Sequence, residues 1–228
     1  FKKWTAIKDY AHQKGISLLG DMPIFVAHDS ADCWAHQEIF QLTEDGSLEK
    51  VAGVPPDYFS EKGQIWGNPL YDWAKIKAEH YAWWIQRFST LANLVDEVRI
   101  DHFRGFAACW VVAADAQDAK DGAWLKGPGS ELFTVVKKAL PQLKLVAEDL
   151  GVITADVIAM KNEFGFPGMR ILEFMVKDRG CSGAAFDTEP NCLAYTGTHD
   201  NNTLVGWYNE ELDEPGQQVV RDMIRLPA

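Results

Sequence analysis

At 228 residues, 47% of them hydrophobic, the chain is long enough to bury a sizeable core. Lys and Arg number 22 against 33 Asp and Glu, a formal net charge of −11, which repels polyanions and excludes nucleic acid and an anionic membrane surface as natural partners. No apolar run reaches the roughly 18 residues of a membrane helix, and Phe1-Lys2-Lys3-Trp4 carries no signal-peptide pattern, so the sequence reads as soluble.

The first predicted element is a helix, in which Trp4, Ile7, Lys8 and Ala11 follow helical spacing and Gly15 is placed to end it in a left-handed conformation. A strand over 16–20 follows. The interval from about 33 to 91 is too long for one crossover helix and reads as an insertion of loop and helix. Its middle, Val51 to Tyr71, is crowded with Gly, Pro and aromatic residues, the composition of a loop. The spacing then predicts one long amphipathic helix over 72–91, with Trp73, Ile76, His80, Trp83, Trp84 and Phe88 near one face.

Further strands are predicted over 98–101, 143–149, 169–174 and 193–198. Between the middle two, Thr154 can cap a helix running through Met160, with Gly165 and Pro167 as breakers. Short strands alternating with helices predict an α/β fold with a parallel sheet. A closed (β/α)8 barrel, or TIM barrel, needs eight strands and five are visible. The chain starts without Met inside a helical pattern and stops at Arg225-Leu226-Pro227-Ala228, so 1–228 is expected to be a central fragment of such a barrel.

Cys33, Cys109, Cys181 and Cys192 form no C-x-x-C pair and show no regular spacing, which argues against a zinc site or disulfide framework and suits a reducing cytoplasm. Nine Trp, twelve Phe and six Tyr exceed what core packing needs in an average domain. Beyond the core, flat rings suit a cleft for sugars, whose C–H faces stack on aromatics.

Acidic or His residues stand at the carboxyl end of four predicted strands: Asp21, Asp101-His102, Glu148-Asp149 and His199-Asp200. One such residue would be an ordinary helix cap, but parallel α/β folds project catalytic groups from this end, where residues remote in sequence meet. Two carboxylates in unlike environments divide acid and nucleophile roles at a glycosidic bond, and Asp101 and Glu148 are the natural pair. Asp200 is a third carboxylate able to hold sugar hydroxyls beside the reacting carbon. Arg99, two residues before Asp101, lies on the same side of its strand. A metal site from Asp21, His102, Glu148, His199 and Asp200 is the competing reading, but no H-x-H or H-E-x-x-H supports it, and no metal or other cofactor is expected.

Five ordered segments now carry a resemblance. Gly20-Asp21-Met22-Pro23-Ile24, Arg99-Ile100-Asp101-His102-Phe103-Arg104-Gly105, Ala147-Glu148-Asp149-Leu150-Gly151 and Gly197-Thr198-His199-Asp200-Asn201 resemble the signature of the amylomaltases, or disproportionating enzymes, of glycoside hydrolase family 77. The insertion Val54-Pro55-Pro56-Asp57-Tyr58-Phe59, continuing to Gly63-Gln64-Ile65-Trp66-Gly67-Asn68-Pro69, resembles that family's substrate-covering loop.

The resemblance implies a retaining 4-α-glucanotransferase that moves α-1,4-glucan segments between maltooligosaccharides or starch- and glycogen-derived glucans. Asp101 would be the nucleophile, Glu148 the general acid/base and Asp200 the transition-state stabiliser. Asp21, Arg99, His102 and His199 would bind the sugar at the cleavage point, and Tyr58, Phe59, Gln64 and Trp66 would shape neighbouring subsites. Asn202 departs from the Asp more usual in the family, outside the catalytic set, and family members are substantially longer. The alternatives are an α-glucan hydrolase of the α-amylase type, which shares the chemistry up to the covalent intermediate, and an inactive glucan-binding barrel fragment. The aromatic loop favours a sugar acceptor over water.

Overall fold

In the computed structural model, which describes residues 1–57, 60–178 and 189–225, the chain forms an α/β fold in two compact units, Phe1–Phe166 and Pro167–Ala228. The first unit is organised by a parallel sheet. Its strands are β1 (Leu19–Pro23), β4 (Glu97–Asp101) and β7 (Lys144–Ala147), in the order β1-β4-β7. Register aligns Gly20, Val98 and Leu145 in one row and Met22, Ile100 and Ala147 in another. Because strand side chains alternate, these rows share one face. Val98, Ile100 and Ala147 are wholly buried there, in a core with Trp84, Phe88, Phe103, Phe106 and Phe133. Each Val, Ile or Phe side chain among them contributes about 1.5–3 kcal/mol on leaving water.

The first helix, α1 (Lys2–Gln13), ends as predicted, with Gly15 at φ +70°. The strand after it begins three residues later than expected. Asp96 sets this start: its carboxylate accepts from the Leu18 N–H at 2.7 Å, and its own N–H donates to the Leu18 carbonyl. The ladder therefore runs from Leu19↔Glu97 to Pro23↔Asp101, and Asp21 lies inside the strand rather than beyond it.

Val51 to Tyr71 is largely the loop that its composition suggested, but two short strands within it were not expected. β2 (Lys50–Val54), β3 (Gln64–Ile65), β5 (Ala108–Ala113) and β6 (Ala123–Lys126) form an antiparallel sheet in the order β3-β2-β5-β6. Val51 pairs with Val112, and both are buried with Ala119 in a small second cluster. Gly53, Pro55 and Pro56 obscured β2, although its apolar residues are satisfied by β5, more than fifty residues on.

The single helix expected over 72–91 is two helices, α3 (Trp73–Ala78) and α4 (Ala82–Leu94). Between them His80 and Tyr81 adopt left-handed backbone, φ 52° and 58°, with no Gly or Pro to announce the break. Their N–H groups bond to the carbonyls of Lys77 and Ile76, which closes α3, and Tyr81 is buried. A short helix, α2 (Ala31–Ala35), is capped by the Ser30 hydroxyl, which accepts from the Cys33 N–H. Two further helices complete this unit, α5 (Ser130–Ala139) and α6 (Ala155–Glu163). Thr154 stands at the N-cap of α6 as predicted, but its hydroxyl bonds to Asp156.

The second unit pairs β8 (Gly168–Ile171) in parallel with β9 (Cys192–Tyr195). Both strands are shorter than expected. Helix α7 (Leu172–Asp178) starts directly after β8, and the chain turns beyond Tyr195 where the Asn201 side chain accepts from the Thr198 N–H. A short helix, α8 (Leu204–Gly206), continues as a π turn over Trp207–Glu211 before α9 (Glu214–Arg225). Val176, Trp207 and Val219 form the buried cluster of this unit. Among the described residues, no helix is long and apolar enough to cross a membrane.

Candidate active site

The face of the parallel sheet opposite its apolar rows carries several of the predicted site residues. Asp21 is the register partner of Arg99, and Asp101 follows Arg99 by two residues. Arg99 bridges the two acids, with Nη1 2.7 Å from Asp21 Oδ1 and Nη2 2.9 Å from Asp101 Oδ1. Its side chain is 11% exposed, against 49% for Asp21 and 39% for Asp101, so a shielded cation supports two accessible carboxylates. Burial opposes the charge of Arg99, but the hydrogen bond and charge of Asp21, with Asp101 and Glu148, outweigh it and raise its pKa.

Glu148 stands one residue beyond β7. Its N–H donates to the Ile100 carbonyl, which continues the ladder by one step, while Ile100 pairs with Ala147. Asp101 and Glu148 are therefore successors of register partners on adjacent strands. The Glu148 carboxylate accepts two backbone hydrogen bonds, from His102 N–H to Oε2 at 2.7 Å and from Leu150 N–H to Oε1 at 2.8 Å. The Glu148 carbonyl also accepts from the Phe103 N–H. His102 adopts left-handed backbone at φ +50°, uncommon outside Gly and costly unless the surroundings enforce it.

Glu148 is buried, and burial pushes its pKa up to about 7, with the charge of Asp101 adding to the effect. The two backbone N–H groups and Arg99 act in the opposite direction without cancelling it. A buried carboxyl that holds its proton near neutrality, beside a more accessible carboxylate, is the division of labour that glycosidic chemistry requires. Burial, followed by the charge of Arg104, lowers the His102 pKa to about 4, so its imidazole is neutral at neutral pH.

Gln64 and Trp66 reach this site from the antiparallel sheet. The Trp66 ring meets His102 edge-on, with centroids 4.8 Å apart, and its Nε1–H donates to Gln64 Oε1 at 3.0 Å. Phe25 packs edge-on against Trp66, with ring centroids 6.2 Å apart. The structure thus gathers Asp21, Gln64, Trp66, Arg99, Asp101, His102 and Glu148 within the first unit. His199 and Asp200 belong to the second unit, at a turn after β9, where both side chains are exposed and His199 Nε2 lies 3.5 Å from Asp200 Oδ1. Tyr58, Phe59 and Cys181 lie outside the described residues.

Residue type points to Glu148 but not directly to the amides that orient it. The available signal was Gly151, at φ +79°, which marks a tight turn just after the acid.

Residues 1–226 match the family model described as 4-alpha-glucanotransferase, glycoside hydrolase family 77. The chain belongs to this family. It is 50% identical over 224 residues to the 4-alpha-glucanotransferase of Synechocystis sp., covering 96% of this chain and 44% of that relative. It is 48% identical over 212 residues to the Thermus thermophilus 4-alpha-glucanotransferase, covering 91% of this chain and 42% of the relative. The chloroplastic/amyloplastic 4-alpha-glucanotransferase of Solanum tuberosum is 43% identical over 221 residues, with 96% and 38% covered. The fold is similar to that of the amylomaltase from Streptococcus agalactiae solved in complex with acarbose, with a TM-score of 0.91 and 41% identity over 99% of this chain and 46% of that one. The chain thus spans less than half the length of the 4-alpha-glucanotransferases that it matches.

Proposed function

We propose that the chain carries the reaction centre of a 4-α-glucanotransferase acting on maltooligosaccharides and on starch- or glycogen-derived glucans, in a cytoplasmic setting and within a (β/α)8 barrel. The observation that carries this reading is the buried Glu148, held by two backbone amides one ladder step from Asp101, with a pKa of about 7.

Protonated Glu148 gives its proton to the glycosidic oxygen as the bond from that oxygen to C1 breaks. Asp101 attacks C1 from the opposite side and forms a glycosyl-aspartyl ester. The shortened glucan leaves. The resulting Glu148 carboxylate then takes the proton from the 4-OH of an acceptor glucan or glucose, whose oxygen attacks C1 and releases Asp101. Two inversions restore the α configuration. Asp21, Arg99, His102 and His199 bind the sugar that bears C1, and Asp200 stabilises the positive charge that develops in its ring. Tyr58, Phe59, Gln64 and Trp66 line the neighbouring subsites. No step calls on a metal, because Glu148 supplies the proton and Asp101 the nucleophile. Support for a glucan ligand comes from the named activity of the relatives and from the acarbose bound by the S. agalactiae amylomaltase.

Incubation of the full-length enzyme with maltotriose alone tests the reading. Transfer yields a ladder of longer oligosaccharides with release of glucose. Glucose and maltose without any ladder would indicate hydrolysis, with water as acceptor, and would overturn the proposal.

A further inference from the structure

We infer that the buried ion pair between Lys161 and Asp149 is a positioning element that sets the Glu148 carboxyl in its working orientation. The inference rests on the reading of Glu148 as the general acid. Lys161, on α6, places its Nζ 2.7 Å from Asp149 Oδ2, and the two side chains are only 3% and 4% exposed. A pair this deep gains little for stability, because desolvating both ions offsets their attraction, and apolar residues of similar size often serve as well. Its place in the chain gives it another use.

Asp149 and Leu150 share one peptide group, and the N–H of that group donates to Glu148 Oε1 at 2.8 Å. Holding the Asp149 side chain fixes the plane of this peptide and hence the direction of the N–H. Lys161 therefore acts on the acid through three links: its ion pair, the Asp149–Leu150 peptide and the bond to Oε1. The far end of the same loop is tied as well. After the turn at Gly151, the Val152 carbonyl accepts from Arg104 Nη1, and the Arg104 guanidinium lies over the Trp124 ring at 3.9 Å. The second bond to the acid, from the His102 N–H, comes from the segment that leads into Arg104. Residues 148–152 are thus pinned on both sides of the peptide that orients the acid.

The test uses the full-length enzyme and two donors: maltotriose, whose departing oxygen needs a proton, and α-maltosyl fluoride, whose leaving group does not. Replacing the pair by apolar residues, Asp149→Leu with Lys161→Met, removes the tie and takes both of its charges out together. We expect a folded protein whose kcat on maltotriose falls by about 10²-fold, while first-turnover fluoride release, which reads attack alone, stays within about threefold of wild type. KM for maltotriose should change little, and the alkaline limb of the pH profile should shift. Equal losses on both donors, or full activity on both, would overturn the inference. Should the apolar pair fail to fold, Lys161→Arg, which keeps the charge but relocates the donor, is read in the same way: loss confined to maltotriose supports positioning, and equal loss or none overturns it. Glu148→Gln, run alongside, separates the two layers. If that variant lost both donors equally, the acid assignment itself would fall, and the inference with it.

Discussion

On the parallel sheet, every group proposed to break or form a bond within the first unit is over-determined. Glu148 is held by two amides, and Asp101 is paired with an Arg99 that also binds Asp21. On the antiparallel sheet, β3 is two residues long and lies at the edge. Gln64 on β3 and Trp66 just beyond it are tied to β2 through their backbones, but their side chains are steadied by only one mutual hydrogen bond and edge-on ring contacts, and Trp66 remains 36% exposed. The difference separates two tasks. Chemistry tolerates only small displacements of the reacting groups, whereas a surface that receives glucans of varied length needs apolar area and some freedom. In the proposed function, strand register would serve the first and a short edge strand the second.

This contrast predicts unequal losses. Asp101→Asn should lower turnover by about 10⁴-fold or more while leaving glucan affinity nearly unchanged, because it removes the attacking oxygen but keeps the shape and most of the hydrogen bonding. Isothermal titration with a maltooligosaccharide, beside an activity assay, checks both halves.

Glu148→Gln should cost about 10²–10⁴-fold on maltotriose and much less on the first-turnover release of fluoride from a glycosyl fluoride. The pH profile carries the same information. A carboxyl raised to about 7 is protonated below that pH and loses its proton above it, so kcat/KM should fall as pH rises through about 7, and Glu148→Gln should abolish that limb. The corresponding stability term has the same sign: it is fully present below the ordinary carboxylate range and is lost as pH rises through about 7.

Trp66→Ala should have the smallest effect on bond breaking. It should shift the ratio of transfer to hydrolysis about fivefold toward hydrolysis, since one stacked ring is worth on the order of 1 kcal/mol. Glucose release against oligomer exchange at fixed maltotriose reads that ratio. An unchanged ratio, or a loss matching that of Glu148→Gln, would erase the distinction between the sheets.

The parallel sheet was legible because its signals are local. β4 and β7 are short apolar runs closed by an acid, and both lie within a few residues of their predicted bounds. β1 was displaced because Asp96, more than seventy residues away, decides where its ladder begins. The antiparallel sheet was illegible for the same kind of reason: Val51 becomes a strand residue only by pairing with Val112. The break at His80 and Tyr81 is set by burial of the Tyr81 ring, which no periodicity reports. At the site, side-chain identities pointed to Asp101 and Glu148, but the amides of His102 and Leu150, on which the acid depends, have no signature in residue type beyond the turn glycine Gly151.

The central claim, that Asp101 and Glu148 divide nucleophile and acid roles, is tested most directly by trapping. Full-length Glu148→Gln enzyme given α-maltosyl fluoride without an acceptor should accumulate a glycosyl ester, since attack proceeds but the base for the second step is missing. Peptide mapping by mass spectrometry should find the added sugar on Asp101. An adduct on any other residue, or rapid fluoride release with no adduct at all, would contradict the account.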